Sequence, residues 1–99
     1  MSQTNTLTRT IIEYIANAGG YAFRVNDTGV FDVRAGQYRS SAKKGISDIL
    51  SVYKSTFVAI EIKTGTDKLR PEQIGFIKNI EHCGGICLVV GTFEEFLDR

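Results

Sequence analysis

Ninety-nine residues with 42% hydrophobic side chains, four tyrosines and six phenylalanines describe one domain, 1–99, near the lower size limit for a self-sufficient core. This composition excludes a disordered chain, and a formal net charge of +1 argues against a strongly basic, non-specific nucleic-acid binder. Any affinity for nucleic acid must therefore come from how Lys and Arg are arranged. No apolar run approaches membrane-spanning length and the Thr-rich start lacks a signal-peptide core, so a soluble, cytoplasmic protein is expected.

Leu7, Ile11, Ile15 and Ala18 recur at helical spacing, with threonines upstream as caps and Gly19-Gly20 as the stop. Residues 21–26 alternate as a strand, Asp27-Thr28-Gly29 turns the chain, and Phe31 to Arg34 suits a short second strand. From Ala35 to Gly45 the composition shifts to Gly, Ser, Tyr, Arg and Lys, as in an exposed loop. Residues 48–53 and 57–63 are rich in Ile, Val and aromatics around Lys54-Ser55, predicting a hairpin. Thr64 to Asp67 is a turn cluster, and Pro71 suits the first position of a helix that turns Ile74, Ile77 and Ile80 inward and stops at Gly84-Gly85. Ile86 to Val90 is continuously apolar, the pattern of a strand buried on both faces, and Thr92-Phe93-Glu94-Glu95 opens a short capped helix. The order α-β-β-β-β-α-β-α predicts an α/β fold, a mixed sheet flanked by helices. Cys83 and Cys87 lack the companions of a zinc site and read as reduced, buried thiols.

The chemistry concentrates at Glu61-Ile62-Lys63. Side chains alternate along a strand, so Glu61 and Lys63 share one face, roughly 7 Å apart, while Ile60 and Ile62 take the other. A solvated strand end would look the same on this tripeptide alone. Asp48 adds a constraint: a two-residue turn at Lys54-Ser55, or a four-residue loop from Tyr53 to Thr56, pairs Leu50 with Ala59 and sets Asp48 opposite Glu61. A three-residue loop would put the carboxylates on opposite faces. Two adjacent carboxylates repel unless a cation joins them, and oxygen ligands select a hard ion, Mg2+ or Mn2+. The Ile62 backbone carbonyl is a third candidate ligand. A cation so held, with Lys63 beside it, fits phosphodiester hydrolysis.

Asp48 followed by Glu61-Ile62-Lys63 resembles the PD-(D/E)XK nuclease superfamily. Arg24-Val25-Asn26, Gly45-Ile46-Ser47-Asp48 and Gln73 in the following helix bring the chain closer to its VRR-NUC (virus-type replication-repair nuclease) family, short stand-alone phage and bacterial type. The resemblance covers nearly the whole chain. It implies a restriction-endonuclease-like fold, a divalent metal, homodimers, and endonucleolytic cleavage of DNA, often branched or flapped. The chain is also similar to Holliday-junction resolvases, which implies a further ligand or supporting role for Glu13, although the helical wheel turns Glu13 toward solvent.

Gln73 lies four residues before Ile77, on the buried side of its helix, where the carboxylates or their waters would satisfy its amide. Tyr38, Arg39, Lys43 and Lys44 form a basic loop suited to phosphate, which Arg24, Arg34, Lys68 and Arg70 extend. The helix start beside Gln73 adds partial positive charge, whereas His82 reads as a residue favoured by its helix C-terminus. Two other readings stay open: a DNA-binding module that keeps the fold without cutting, and a protein-interaction domain whose charged strand end is incidental.

Overall fold

Leu7, Ile11 and Ile15 become the buried stripe of α1 (Gln3–Asn17) in the computed structural model, which describes residues 3–25, 30–39 and 45–99. Thr4, Thr6 and Thr8 lie inside this helix rather than capping it. Thr8 is buried and Thr10 returns its hydroxyl to the Thr6 carbonyl, so small polar residues are accommodated on a helix held by its packing. Gly19, at φ +94°, ends it, and the Gly20 N–H bonds the Ile15 carbonyl at 2.9 Å.

The strands are β1 (Tyr21–Arg24), β2 (Val30–Asp32), β3 (Gln37–Arg39), β4 (Ile49–Tyr53), β5 (Thr56–Ile62) and β6 (Ile86–Val90). Helix α2 (Pro71–His82) connects β5 to β6, and α3 (Phe93–Leu97) follows. Four strands make one mixed sheet in the order β1-β4-β5-β6, with β5 and β6 parallel and the other pairs antiparallel. The loop expected from Ala35 to Gly45 is in part a strand. Gln37–Arg39 pairs with Val30–Asp32 in a separate two-stranded ribbon, so the element order gains a strand. Its polar residues carry no alternation to announce it; the pairing follows from the turn through Val33 to Gly36. Asn26, the Asp27-Thr28-Gly29 turn, Lys43 and Lys44 lie outside the described residues.

One face of the sheet packs Ile49, Ile60, Ile62 and Val90 against Leu7, Ile11 and Ile15 of α1 and Phe96 of α3. The other face carries α2, where the Cys87 thiol approaches the Ile77 carbonyl at 3.9 Å. Two expectations change here. β6 is an edge strand with Ile86 45% exposed, because an apolar run can also serve a strand covered over only part of its length. Ile74 is exposed, since α2 turns Gln73 into the interior instead, and Ile77 and Ile80 are half-buried. Both cysteines are free, as expected, but Cys83 is exposed and Cys87 only half-buried. Among the described residues no helix is long and apolar enough to cross a membrane.

The β4–β5 hairpin has the register that the two-residue turn requires: Leu50 faces Ala59 and Val52 faces Phe57. Lys54 (φ 49°) and Ser55 (φ 65°) both sit in the left-handed region, which costs non-glycine residues about 1–2 kcal/mol each. A longer loop would relax them, but an odd insertion would rotate the strand end and part Asp48 from Glu61.

Candidate metal centre

Asp48 immediately precedes β4, and the hairpin register continues to it, opposite Glu61 near the end of β5. Side chains so opposed have Cβ atoms about 5 Å apart. The Asp48 carboxylate replaces the next rung of the ladder: its Oδ2 accepts the Ile62 N–H at 2.7 Å, while the Asp48 carbonyl accepts the Val25 N–H at 2.9 Å. The Lys63 N–H bonds Val90 on the β6 side, at 2.9 Å. Alternation therefore turns both the N–H and the carbonyl of Ile62 toward Asp48.

Glu61 is 3% exposed. Its Oε1 accepts from Gln73 Nε2 at 3.0 Å, and Gln73 Oε1 accepts the Arg70 N–H at 2.9 Å. A backbone N–H donates only, so this second bond fixes the amide orientation and commits Nε2 to Glu61. Pro71 at the first position and Gln73 at the third thus start α2 and clamp the carboxylate with the same residues. The other oxygen, Glu61 Oε2, is buried and has no hydrogen-bond partner. Glu61 itself lines a cavity of about 180 Å³ together with Val25, Gly45, Ser47, Asp48, Arg70 and Gln73, among others. The cavity lies at the carboxyl end of β5, where a crevice opens beside the start of α2.

Burial, then the negative charge of Asp48, and then a hydrogen bond that the protonated carboxyl makes to Asp48 push the Glu61 carboxyl up to about 8, while Lys63 and Arg70 pull it down. A carboxyl raised from 4.5 to about 8 binds its proton more tightly in the folded protein, so its contribution is favourable at low pH and is lost as pH rises through this interval. The cavity opens to solvent and screens part of the interaction, so metal-free protein should lose roughly 2 kcal/mol between pH 5 and pH 8.5. In thermal melts this is a fall of roughly 10 °C. Glu61→Gln, which can still accept from Gln73, should flatten that slope.

The other sequence-predicted residues divide. Lys63 is half-buried on the same face as Glu61 but does not line the cavity, whereas Arg70 does, with its side chain 66% exposed, 3.6 Å from Glu72. Arg24 stands opposite Ile49 on the α1 face and donates to Asn5 Oδ1 at 2.9 Å, so it is not at the carboxylates. Glu13 is exposed and does not line the cavity. It lies eight residues beyond Asn5, about 12 Å further along the axis from the end of α1 that meets Arg24. Arg34 is exposed in the ribbon turn, and Lys68 is exposed outside the cavity lining. The side chains of Tyr38 and Arg39, with all of Lys43 and Lys44, lie outside the described residues. His82 ends α2, consistent with its dipole role.

The sequence reading did not find why Gly45 matters. It has φ +81°, and a Cβ there would overlap the backbone of Glu72 in the first turn of α2. A glycine three residues ahead of a strand-end carboxylate is the signal. Among the described residues only Asp48 and Glu61 supply acidic side chains to the cavity, and no three His, Cys, Asp or Glu side chains group as metal ligands. Further oxygen donors for a hard cation are the Ser47 hydroxyl and backbone carbonyls of the cavity lining, the Ile62 carbonyl at the adjoining strand end, and water. An unpartnered buried oxygen beside a second carboxylate fits such an ion, because a cation would satisfy Oε2 and end the repulsion. No family model matches this chain, and no curated protein matches it.

Proposed function

We propose that the chain is a Mg2+- or Mn2+-dependent endonuclease that hydrolyses phosphodiester bonds in branched DNA, on a restriction-endonuclease-like fold of the VRR-NUC type. The observation that carries the reading is Glu61, which lines one cavity with Asp48 and whose Oε2 is buried without a hydrogen-bond partner. The motifs Gly45-Ile46-Ser47-Asp48, Glu61-Ile62-Lys63 and Gln73, in that order, supply the DNA and the reaction type.

Asp48 and Glu61 would hold the cation, with the Ile62 carbonyl as a third ligand. The ion supplies Lewis acidity at a phosphoryl oxygen and lowers the pKa of water. Gln73 keeps Oε1 of Glu61 engaged and leaves Oε2 as the oxygen available to the ion. Lys63 would orient the attacking water and offset the negative charge on the phosphoryl oxygens as the water oxygen bonds to phosphorus and gives its proton to solvent, while the P–O bond to the sugar breaks and the sugar oxygen takes up a proton from solvent water. Arg70, at the rim, meets the phosphate. A chain of this size offers little surface to a duplex, and a two-fold dimer would set two centres against a two-fold junction.

The test is cleavage of end-labelled junction, flap and linear DNA with Mg2+ or Mn2+, and with EDTA. Metal-dependent cutting that favours the branched substrates is expected. DNA binding without cutting under every condition would replace this reading with that of a binding module.

A further inference from the structure

The sheet face that carries Asp48 and Glu61 is covered unevenly. Helix α2 lies over the β5–β6 side, but toward β1 and β4 no described element covers the same face. Tyr21 is 71% exposed, Phe23 46%, Val52 49% and Phe57 36%. The register gathers them: Tyr21 opposes Val52, Val52 opposes Phe57, and Phe23 opposes Leu50. The rings of Tyr21 and Phe23 stand 5.9 Å apart, centroid to centroid, at 43°. Two residues beyond Phe23, on the same face, Val25 lines the carboxylate cavity. The rings therefore form a stripe that runs into the proposed centre, and on this face no described strand position between them and the carboxylates carries a charge, Arg24 lying on the opposite face.

Resting on the nuclease reading, we propose that Tyr21 and Phe23 are a stacking platform for the unpaired bases of the substrate's single-stranded arm. A duplex buries its base faces, whereas an unpaired strand exposes them. An unpaired base offers a π-face to any exposed ring, whatever its identity. Continuity with the cavity selects this occupant, since a strand threaded into the centre must cross the face that adjoins it. Stacking of this kind, at about tenfold in affinity per ring, would make cleavage selective for structure and tolerant of sequence.

The chain has no tryptophan, so Phe23→Trp introduces a single reporter into the stripe. Titrating this protein with oligothymidylate in EDTA should quench the indole saturably, without any need for catalysis. The double variant Tyr21→Thr, Phe23→Thr keeps strand-forming residues and should lower the preference for flapped over fully paired DNA at least about tenfold. No quenching at saturating oligonucleotide, or an unchanged preference, overturns the platform. So does a dimer, by light scattering, that the double variant dissociates, for then a second copy occupies the stripe. Failure of the parent protein to cut any DNA with metal overturns the nuclease reading, whereas absent quenching in a protein that cuts removes the platform alone.

Discussion

Asp48→Asn is expected to lower metal-dependent cleavage about a thousandfold while leaving the chain folded. Asparagine keeps an oxygen that can accept the Ile62 N–H, so the strand end retains the bond now made at 2.7 Å. What goes is the charge. One of two acidic ligands becomes a weak neutral donor, and several kcal/mol of transition-state stabilisation go with it, which at about 1.4 kcal/mol per tenfold gives that factor. The same change removes the repulsion that holds the Glu61 proton, so metal-free Asp48→Asn should melt higher than the parent at pH 8. Asp48→Ala differs on this second count: it strands a backbone N–H, at about 1–3 kcal/mol, and should melt lower than Asp48→Asn. Single-turnover cleavage with parallel melts separates the two effects. An Asp48→Asn protein that cuts like the parent would show that the carboxylate is structural.

Gly45→Ala should lower the melting temperature by roughly 15 °C. Two costs combine: a left-handed backbone at φ +81°, and a methyl group driven into the Glu72 carbonyl. Each is worth about 1–3 kcal/mol. Backbone meets backbone here, so no flexible side chain can yield. The strand entrance must move off the first turn of α2, drawing Asp48 away from the Gln73–Glu61 clamp. Metal affinity should therefore fall along with stability. Gly75, in the same helix, is the contrast: nothing stands within 4 Å of a Cβ placed there. Gly75→Ala should raise stability by up to about 1 kcal/mol. Equal effects at the two glycines would remove the packing account of Gly45.

What the residues made legible was whatever local pattern dictates. The hairpin register could be tested on paper because loops of two or four residues satisfy both the apolar pairs and the opposed carboxylates, whereas three residues do not. The inward turn of Gln73 followed from its distance to Ile77. The β3 strand escaped notice because Gln37, Tyr38 and Arg39 pair through a turn without alternating. Coverage escaped too, for tertiary packing decides which apolar runs stay open. Ile86 to Val90 looks central yet lies at an edge, and Ile74 fits the helical stripe yet faces solvent. Glu13 shows the limit of a positional analogy: its place on the wheel turned it outward, and Asn5 is the α1 residue that meets Arg24.

Mn2+ titrated calorimetrically into the parent protein and into Asp48→Asn, at pH 6 and at pH 8, addresses the pairing of the two acidic groups most directly. Saturable binding by the parent, stronger at the higher pH where Glu61 gives up its proton, and lost in the variant, is the expected result. Equal heats from both proteins, or none from the parent, would contradict it.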